Sequence, residues 1–336
     1  ISGNFRFEWK IDSLTTIMYR PSVNFSKGNS NSGSFSETLN NELIPINQKE
    51  ATNRQTNDRF STNGSLQFNR KLNSKGRNIA LRLYYNLDNG NSDRYSLANT
   101  YYLKYGDSIK VQNQWIDNLN RNHEYRVQLT YMEPVFTNHF IEINYSYQHR
   151  SSLSEKYAYD WNDLEDSYSQ YPDTAQSDCY KNKYSIHQVG AFFRTTRTNY
   201  FYNIGIEIEP QQTTNQSYMR DTTLEYSSRN AINYAPTMNF KYTFSKQTTL
   251  RINYRGRTTQ PSMTDLYSKN DISDPLNIRL TNPNLKPSFN NNISATFNTY
   301  VTETLRSFNA NFSYSNTINS TTRIVTYDEN KIGRAH

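Results

Sequence analysis

Hydrophobic residues recur at every second position through most of this chain, a period that admits β-strands and little else. Ile79, Leu81, Leu83, Tyr85 and Leu87 alternate with Ala80, Arg82, Tyr84 and Asn86, and Tyr125, Val127, Leu129 and Tyr131 enclose Arg126, Gln128 and Thr130. The pattern returns at Phe5–Ile11, Ile141–Tyr147, Tyr200–Ile208, Met238–Phe244, Leu250–Tyr254 and Phe308–Tyr314. Successive side chains of a strand point to opposite faces, so each segment carries one apolar and one polar face. About twelve or thirteen such segments can be counted, and no helical period competes with them.

Composition narrows what these strands can build. Only 34% of the 336 residues are hydrophobic, yet 14% are aromatic, with 28 tyrosines. A soluble domain of this size carries more aliphatic residues for its core, and disordered chains are poor in aromatics. The apolar material is therefore spent on one face of each strand. The net charge of +7 suits anionic neighbours, but no dense Lys/Arg run or motif points to nucleic acid. Cys179 is the only cysteine, so no intrachain disulfide or cysteine metal pair is possible.

The connections alternate in length. Short ones fall near Asp12, Ser74, Phe136, Thr198, Lys246 and Thr302; long ones are expected over Lys27–Arg54, Asn91–Asn118, Ser151–Lys181, Thr213–Ser227 and Thr258–Lys286. Short turns at one rim and long loops at the other are the layout of transmembrane barrels. A closed antiparallel barrel also satisfies every backbone polar group in lipid. No apolar run reaches the length of a membrane helix, but a barrel crosses on about ten alternating residues per strand. The expected fold class is all-β, an antiparallel up-and-down transmembrane β-barrel. Trp9, Tyr131, Phe140, Tyr200, Tyr202, Phe244 and Tyr300 gather near the short turns, as an interfacial girdle would.

A denser signature lies towards the C-terminus. Tyr254–Thr259 runs into Gln260, Pro261, Ser262 and then Leu266; Asp274 and Pro275 follow; and Asn282-Pro283-Asn284-Leu285-Lys286-Pro287 comes last. This stretch resembles the barrel of TonB-dependent receptors, in the receptor-like outer-membrane barrel family common in Bacteroidetes. There a strand ends in Pro-Ser, a loop follows, and Asn-Pro-x-Leu-Lys-Pro leads into the next strand. Thr281 stands where that family has Gly, and Ser288 where it has an acidic residue. A second stretch, Leu129 to Val135 with Glu133 and Pro134, is similar to the family's strand-to-periplasmic-turn element.

The resemblance implies an outer-membrane transporter barrel that imports a scarce ligand. Its partners would be outer-membrane lipid and lipopolysaccharide, a plug domain, and the TonB complex reached through an N-terminal region outside this chain. It also implies a barrel of about 22 strands, of which residues 1–330 would form a partial domain. Residues 331–336 (Lys-Ile-Gly-Arg-Ala-His) equal a translated sequencing-adapter start, and are read as a tail foreign to that domain.

No constellation points to catalysis, a cofactor or a metal. The histidines at 123, 139, 149, 187 and 336 lack metalloprotease spacing, and no Gly-x-Ser-x-Gly elbow occurs. The acidic run Asp160–Asp166 could hold Ca²⁺ or simply be solvated. Tyr157, Tyr159, Trp161, Tyr168 and Tyr171 could stack on a ligand ring or on neighbouring loops. Arg82, Arg126, Glu142, Glu207, Lys241, Arg251 and Arg255 are expected on the lumen side, where charge needs no special role. Read from the residues alone, a passive porin and a soluble β-rich binding or adhesion module stay open as alternatives.

Overall fold

Antiparallel strands account for nearly all of the structure, a computed structural model describing residues 1–40, 42–103, 108–220, 222–261, 277–279, 282, 284–322, 325–327 and 333–335. In chain order they are β1 (Ser2–Asn4), β2 (Phe7–Lys10), β3 (Thr15–Leu39), β4 (Pro45–Lys71), β5 (Asn78–Tyr102) and β6 (Ser108–Phe136). Next come β7 (His139–Asn162), β8 (Ser167–Tyr168), β9 (Asp178–Thr196), β10 (Tyr200–Met219), β11 (Thr222–Thr243) and β12 (Thr249–Thr259). The last are β13 (Asn277–Arg279), β14 (Ser288–Val301), β15 (Arg306–Ile318), β16 (Val325–Tyr327) and β17 (Gly333–Ala335).

The main sheet is an up-and-down meander, β1-β3-β4-β5-β6-β7-β9-β10-β11-β12-β14-β15. β2 also pairs with β3, continuing the line of β1, and β8 pairs with β7. β15 pairs with β14 alone, so the sheet is an open arc among the described residues. β13, β17 and β16 form a separate small sheet.

Burial distinguishes the two sides of the sheet. The buried apolar residues are few, mostly small, and scattered: Ile46, Ala98, Ile116, Ala158, Cys179 and Ala235 among the described residues. The large ones are exposed, including Leu129, Ile143, Ile206 and Phe312. The pairing register joins them into continuous rows. One row runs Trp9, Ile17, Phe68, Leu81, Leu129, Tyr145, Val189, Ile208, Tyr234 across nine neighbouring strands with no polar interruption. A wall with such a continuous apolar band, and no second layer over it among the described residues, matches lipid rather than water as its solvent.

The apolar band cuts obliquely across the hydrogen-bonded rows. On β5 it extends up to Leu87, whose row meets β6 at His123. On β14 it extends up only to Ile293, whose row traces back through Tyr254, Met238, Ile204, Phe193 and Ile141 to Glu133, ten residues further along β6. A level band that drifts through the register means tilted strands, as closure into a barrel requires.

All six short connections are where the alternation places them: 11–14, 72–77, 137–138, 197–199, 244–248 and 302–305. The long ones differ. β3 and β4 stay paired from Thr15↔Arg70 to Leu39↔Pro45, β5 and β6 pair out to Tyr102↔Ser108, and β10 and β11 out to Met219↔Thr222. Most of the residues expected in the first, second and fourth loops are thus strand, projecting as ribbons well beyond the apolar band. The alternation stops there because both faces are in water, while the backbone ladder that defines a strand continues.

The girdle needs one correction. Trp9, Tyr131, Tyr200, Tyr202 and Phe244 share the apolar face, but Phe140 and Tyr300 fall on the opposite one, in register with Arg194 and Ser307. Phe140 instead covers Gly76, which turns at φ 103° in the 72–77 connection.

The first turn is held by a carboxylate. Asp12 accepts hydrogen bonds from the backbone N–H groups of Leu14 (2.7 Å) and Thr15 (2.6 Å). The Leu14 N–H, with help from Thr15 and Arg70, holds the Asp12 carboxyl below its usual range. A depressed carboxylate stabilises the turn above its unfolded pKa and stops doing so as pH falls through the lowered folded value. The protection factors of the Leu14 and Thr15 amides against hydrogen exchange should therefore fall on acidification below the ordinary Asp range. In Asp12→Ala that protection should be low at every pH.

Candidate functional site

The face opposite the apolar band is polar, and this is the surface that could act on a solute. Every residue expected there lies there: Arg82, Arg126, Glu142, Glu207, Lys241, Arg251 and Arg255 all share the register parity of Gln128 and Ser146. Amides knit the acids together. Asn144 Nδ2 donates to Glu207 Oε1 (3.1 Å), Gln188 Nε2 to Glu209 Oε1 (2.6 Å), and Gln148 Nε2 to Glu124 Oε1 (2.8 Å). Arg126 in turn donates to Gln148 Oε1 (2.6 Å), and Ser146 to Gln188 Oε1 (2.8 Å).

Both signs of charge occur on this face, with Arg126 on the same strand as Glu124 and further cations at Arg82 on β5 and Arg194 on β9. The acids Glu124, Glu142, Glu207 and Glu209 sit on β6, β7 and β10. β11 and β12 carry cations, with Lys241 directly opposite Arg251. No ion pair joins the two groups among the described residues. The wall can thus present a polar lining to water or to a polar body inside it.

Two glycines on the same face were not singled out by sequence reasoning. Gly190 and Gly205 flank the ring of Phe192, which like Phe140 lies on the polar side. A Cβ at Gly205 would lie 2.4 Å from Phe192 Cδ1 and 2.3 Å from the Ala191 carbonyl oxygen; one at Gly190 would lie 2.3 Å from Asn144 Oδ1. Isolated glycines inside alternating segments were the available signal.

The acidic run Asp160–Asp166 is not gathered. Asp160 lies in β7 and accepts from Gln114 Nε2 (2.7 Å), while residues 163–166 make the turn to β8. Among the described residues no group of three His, Cys, Asp or Glu side chains could hold a metal. The nearby aromatics pack on each other and on adjacent strands. Tyr168 meets Trp161 (5.0 Å between centroids) and Tyr95 (5.8 Å), Tyr159 stacks on Trp115 (4.7 Å), and Arg220 sits over Tyr171 (5.2 Å). Tyr159 and Trp161 share the parity of the apolar band, so they face away from the polar side.

Cys179 is not in a loop but at the start of β9, where it is buried. Burial pushes its thiol pKa up, the opposite of what a reactive cysteine needs.

The signature residues fall at strand ends. β6 closes through Glu133 and Pro134 into the two-residue turn at 137–138, with a register shift between Pro134 and Phe136 and Asn138 at φ 66°. Proline suits that break because it has no N–H for the ladder. Glu133 accepts from Arg77 Nε (2.8 Å) and from the Tyr131 hydroxyl, tying this turn to its neighbour. Further on, β12 ends at Thr259 just before Pro261, and Leu285, Lys286 and Pro287 lead directly into β14 at Ser288. The Asn282 side chain accepts from the Asn284 N–H (2.9 Å). Ser262, Leu266, Asp274, Pro275 and Pro283 lie outside the described residues.

Residues 70–334 match the Outer membrane protein beta-barrel family. This chain belongs to that family. It is an outer-membrane β-barrel protein, and in such barrels short turns characterise the periplasmic rim. A search of curated proteins finds no match. Solved structures with a similar course include the Ferric-Catecholate import receptor Fiu from E. coli K12 in its closed form (10% identity, TM-score 0.43, covering 100% of this chain and 58% of that one). Others are the ferric yersiniabactin uptake receptor FyuA from Yersinia pestis (7%, 0.45, 94% and 52%) and the copper transporter OprC (8%, 0.48, 100% and 55%). The barrel chain spans little more than half the length of these proteins.

Proposed function

We propose that this chain is barrel wall from a TonB-dependent receptor-like importer, whose polar face surrounds a plug domain and the path of a scarce ligand. The observation that carries the reading is the junction of β12 and β14. A strand ending before Pro261, and Asn282, Leu285, Lys286 and Pro287 entering the next strand, follow the receptor-like pattern in order and in placement. The charges of both signs on the polar face support it, because a folded polar insert can complement them. The long paired ribbons above the membrane would then present the ligand-capturing surface.

The test uses the full-length protein carrying this wall, reconstituted in planar bilayers and probed with the periplasmic domain of TonB. Small, intermittent conductance is expected, as for a plugged barrel. TonB binding should vanish when the region preceding the barrel is deleted. A steady, large conductance with no TonB binding would make it a passive porin instead.

A further inference from the structure

We infer that the outer wall of β6, β7 and β9 binds the phosphates of outer-leaflet glycolipid through Arg121, His123, Lys181 and Lys183. This rests on the outer-membrane location and not on the importer reading.

The site begins where the apolar band ends. On these three strands the band finishes, on the side away from the short turns, in a cluster of rings. Tyr125 stacks on His149 (5.2 Å) and lies near Tyr147 (6.2 Å); Tyr147 meets His187 (5.0 Å), and the Tyr145 hydroxyl is 2.9 Å from His187 Nδ1. Rings with a polar edge mark the membrane–water interface. The next two rows outward on the same face are therefore at headgroup level. One joins His123, Ser151 and Lys183; the other joins Arg121, Leu153 and Lys181.

All four basic side chains are exposed. None is ion-paired or hydrogen-bonded among the described residues. With strands about 4.8 Å apart and about 3.4 Å of rise per residue, the four Cα atoms bound an area of roughly 10 by 7 Å. Long Lys and Arg side chains can converge on one phosphate from that footprint.

Their confinement argues against general solvation. Along the same two rows the flanking strands carry Val23, Thr62, Leu87, Thr214 and Ser228, then Phe25, Phe60, Asn89, Gln216 and Tyr226, with no charge. Acids on this face begin only one row further out. There Glu155 is already engaged by the Tyr218 hydroxyl (2.6 Å), and in the row beyond it Asp117 faces Asp93. Cations next to the aromatic rim with acids above them match a leaflet whose phosphates lie just outside the acyl layer.

The experiment measures binding of bisphosphorylated lipid A, in mixed micelles, to the full-length protein in detergent. Dephosphorylated lipid A and millimolar inorganic phosphate serve as comparisons. The wild type should prefer the phosphorylated form, and R121Q/K181Q/K183Q should bind it about 100-fold more weakly, from about 1 kcal/mol per cation near a membrane surface. K181Q and K183Q singly should each lose about 5-fold, which keeps the test open if the triple variant does not fold. Arg54→Gln, on the same face but two strands away from β6 and further out, should bind as wild type. Equal binding of both lipid forms, unchanged affinity in the folded Lys variants, or displacement of lipid A by millimolar inorganic phosphate would each overturn the site.

Discussion

Leu129→Arg should destabilise the folded barrel by about 2–4 kcal/mol, the cost of a guanidinium near the bilayer midplane on a lipid-facing strand position. Leu129 sits inside the apolar segment of β6, which runs from Tyr125 to Tyr131. It is 43% exposed, with Leu81 and Tyr145 beside it in the row. Nothing in that row could neutralise the charge, and the nearest water is half a membrane away. Thr130→Arg, one residue on, points to the polar face between Ala80 and Asn144 and should change stability by no more than about 0.5 kcal/mol. Urea unfolding of the two variants refolded into phospholipid vesicles gives the comparison. Equal effects would mean that the apolar face does not meet lipid, and the wall would have to be read as half of a soluble assembly.

That adjacent residues should differ so much is a statement about parity, and parity is what the sequence shows best. The alternating segments, the six short turns and the side on which Arg82, Glu207 or Arg251 lies were all legible, because each depends on a period of two or on a local turn. The ribbons beyond the membrane were not. Asn29–Ser34 and Thr52–Asn57 have no large apolar residue at any position, so nothing in their side chains announces a strand. They are held by main-chain pairing such as Ser30↔Gln55, which any residue but proline can supply. The same blindness placed Cys179 in a loop. Closeness to a turn points Phe140 and Tyr300 to the girdle, but parity puts them on the other face. The basic patch on β6 and β9 was hidden for a different reason. Arg121 and Lys181 are 60 positions apart, and only the register through Leu153 makes them neighbours.

Register also exposes a tight point in the wall, and it yields the second large effect. Gly205→Val is expected to destabilise the barrel by about 1–3 kcal/mol, the usual cost of forcing extra volume into a filled space. Gly205 pairs with Phe192 on one side and Thr237 on the other. The ring of Phe192 lies over the space a side chain would need, and the Ala191 carbonyl oxygen closes it from β9 at 2.3 Å. A ring can rotate away, but a ladder carbonyl can move only with its strand. Phe192→Leu should therefore recover part of the loss in a double variant and leave the remainder to the backbone. Gly28 offers the contrast, because a Cβ there would meet nothing within 4 Å; Gly28→Val on the exposed ribbon should unfold with the wild type. Urea titration of the three variants decides it. If Gly205→Val matched Gly28→Val, close approach at Phe192 would not be what keeps residue 205 free of a side chain.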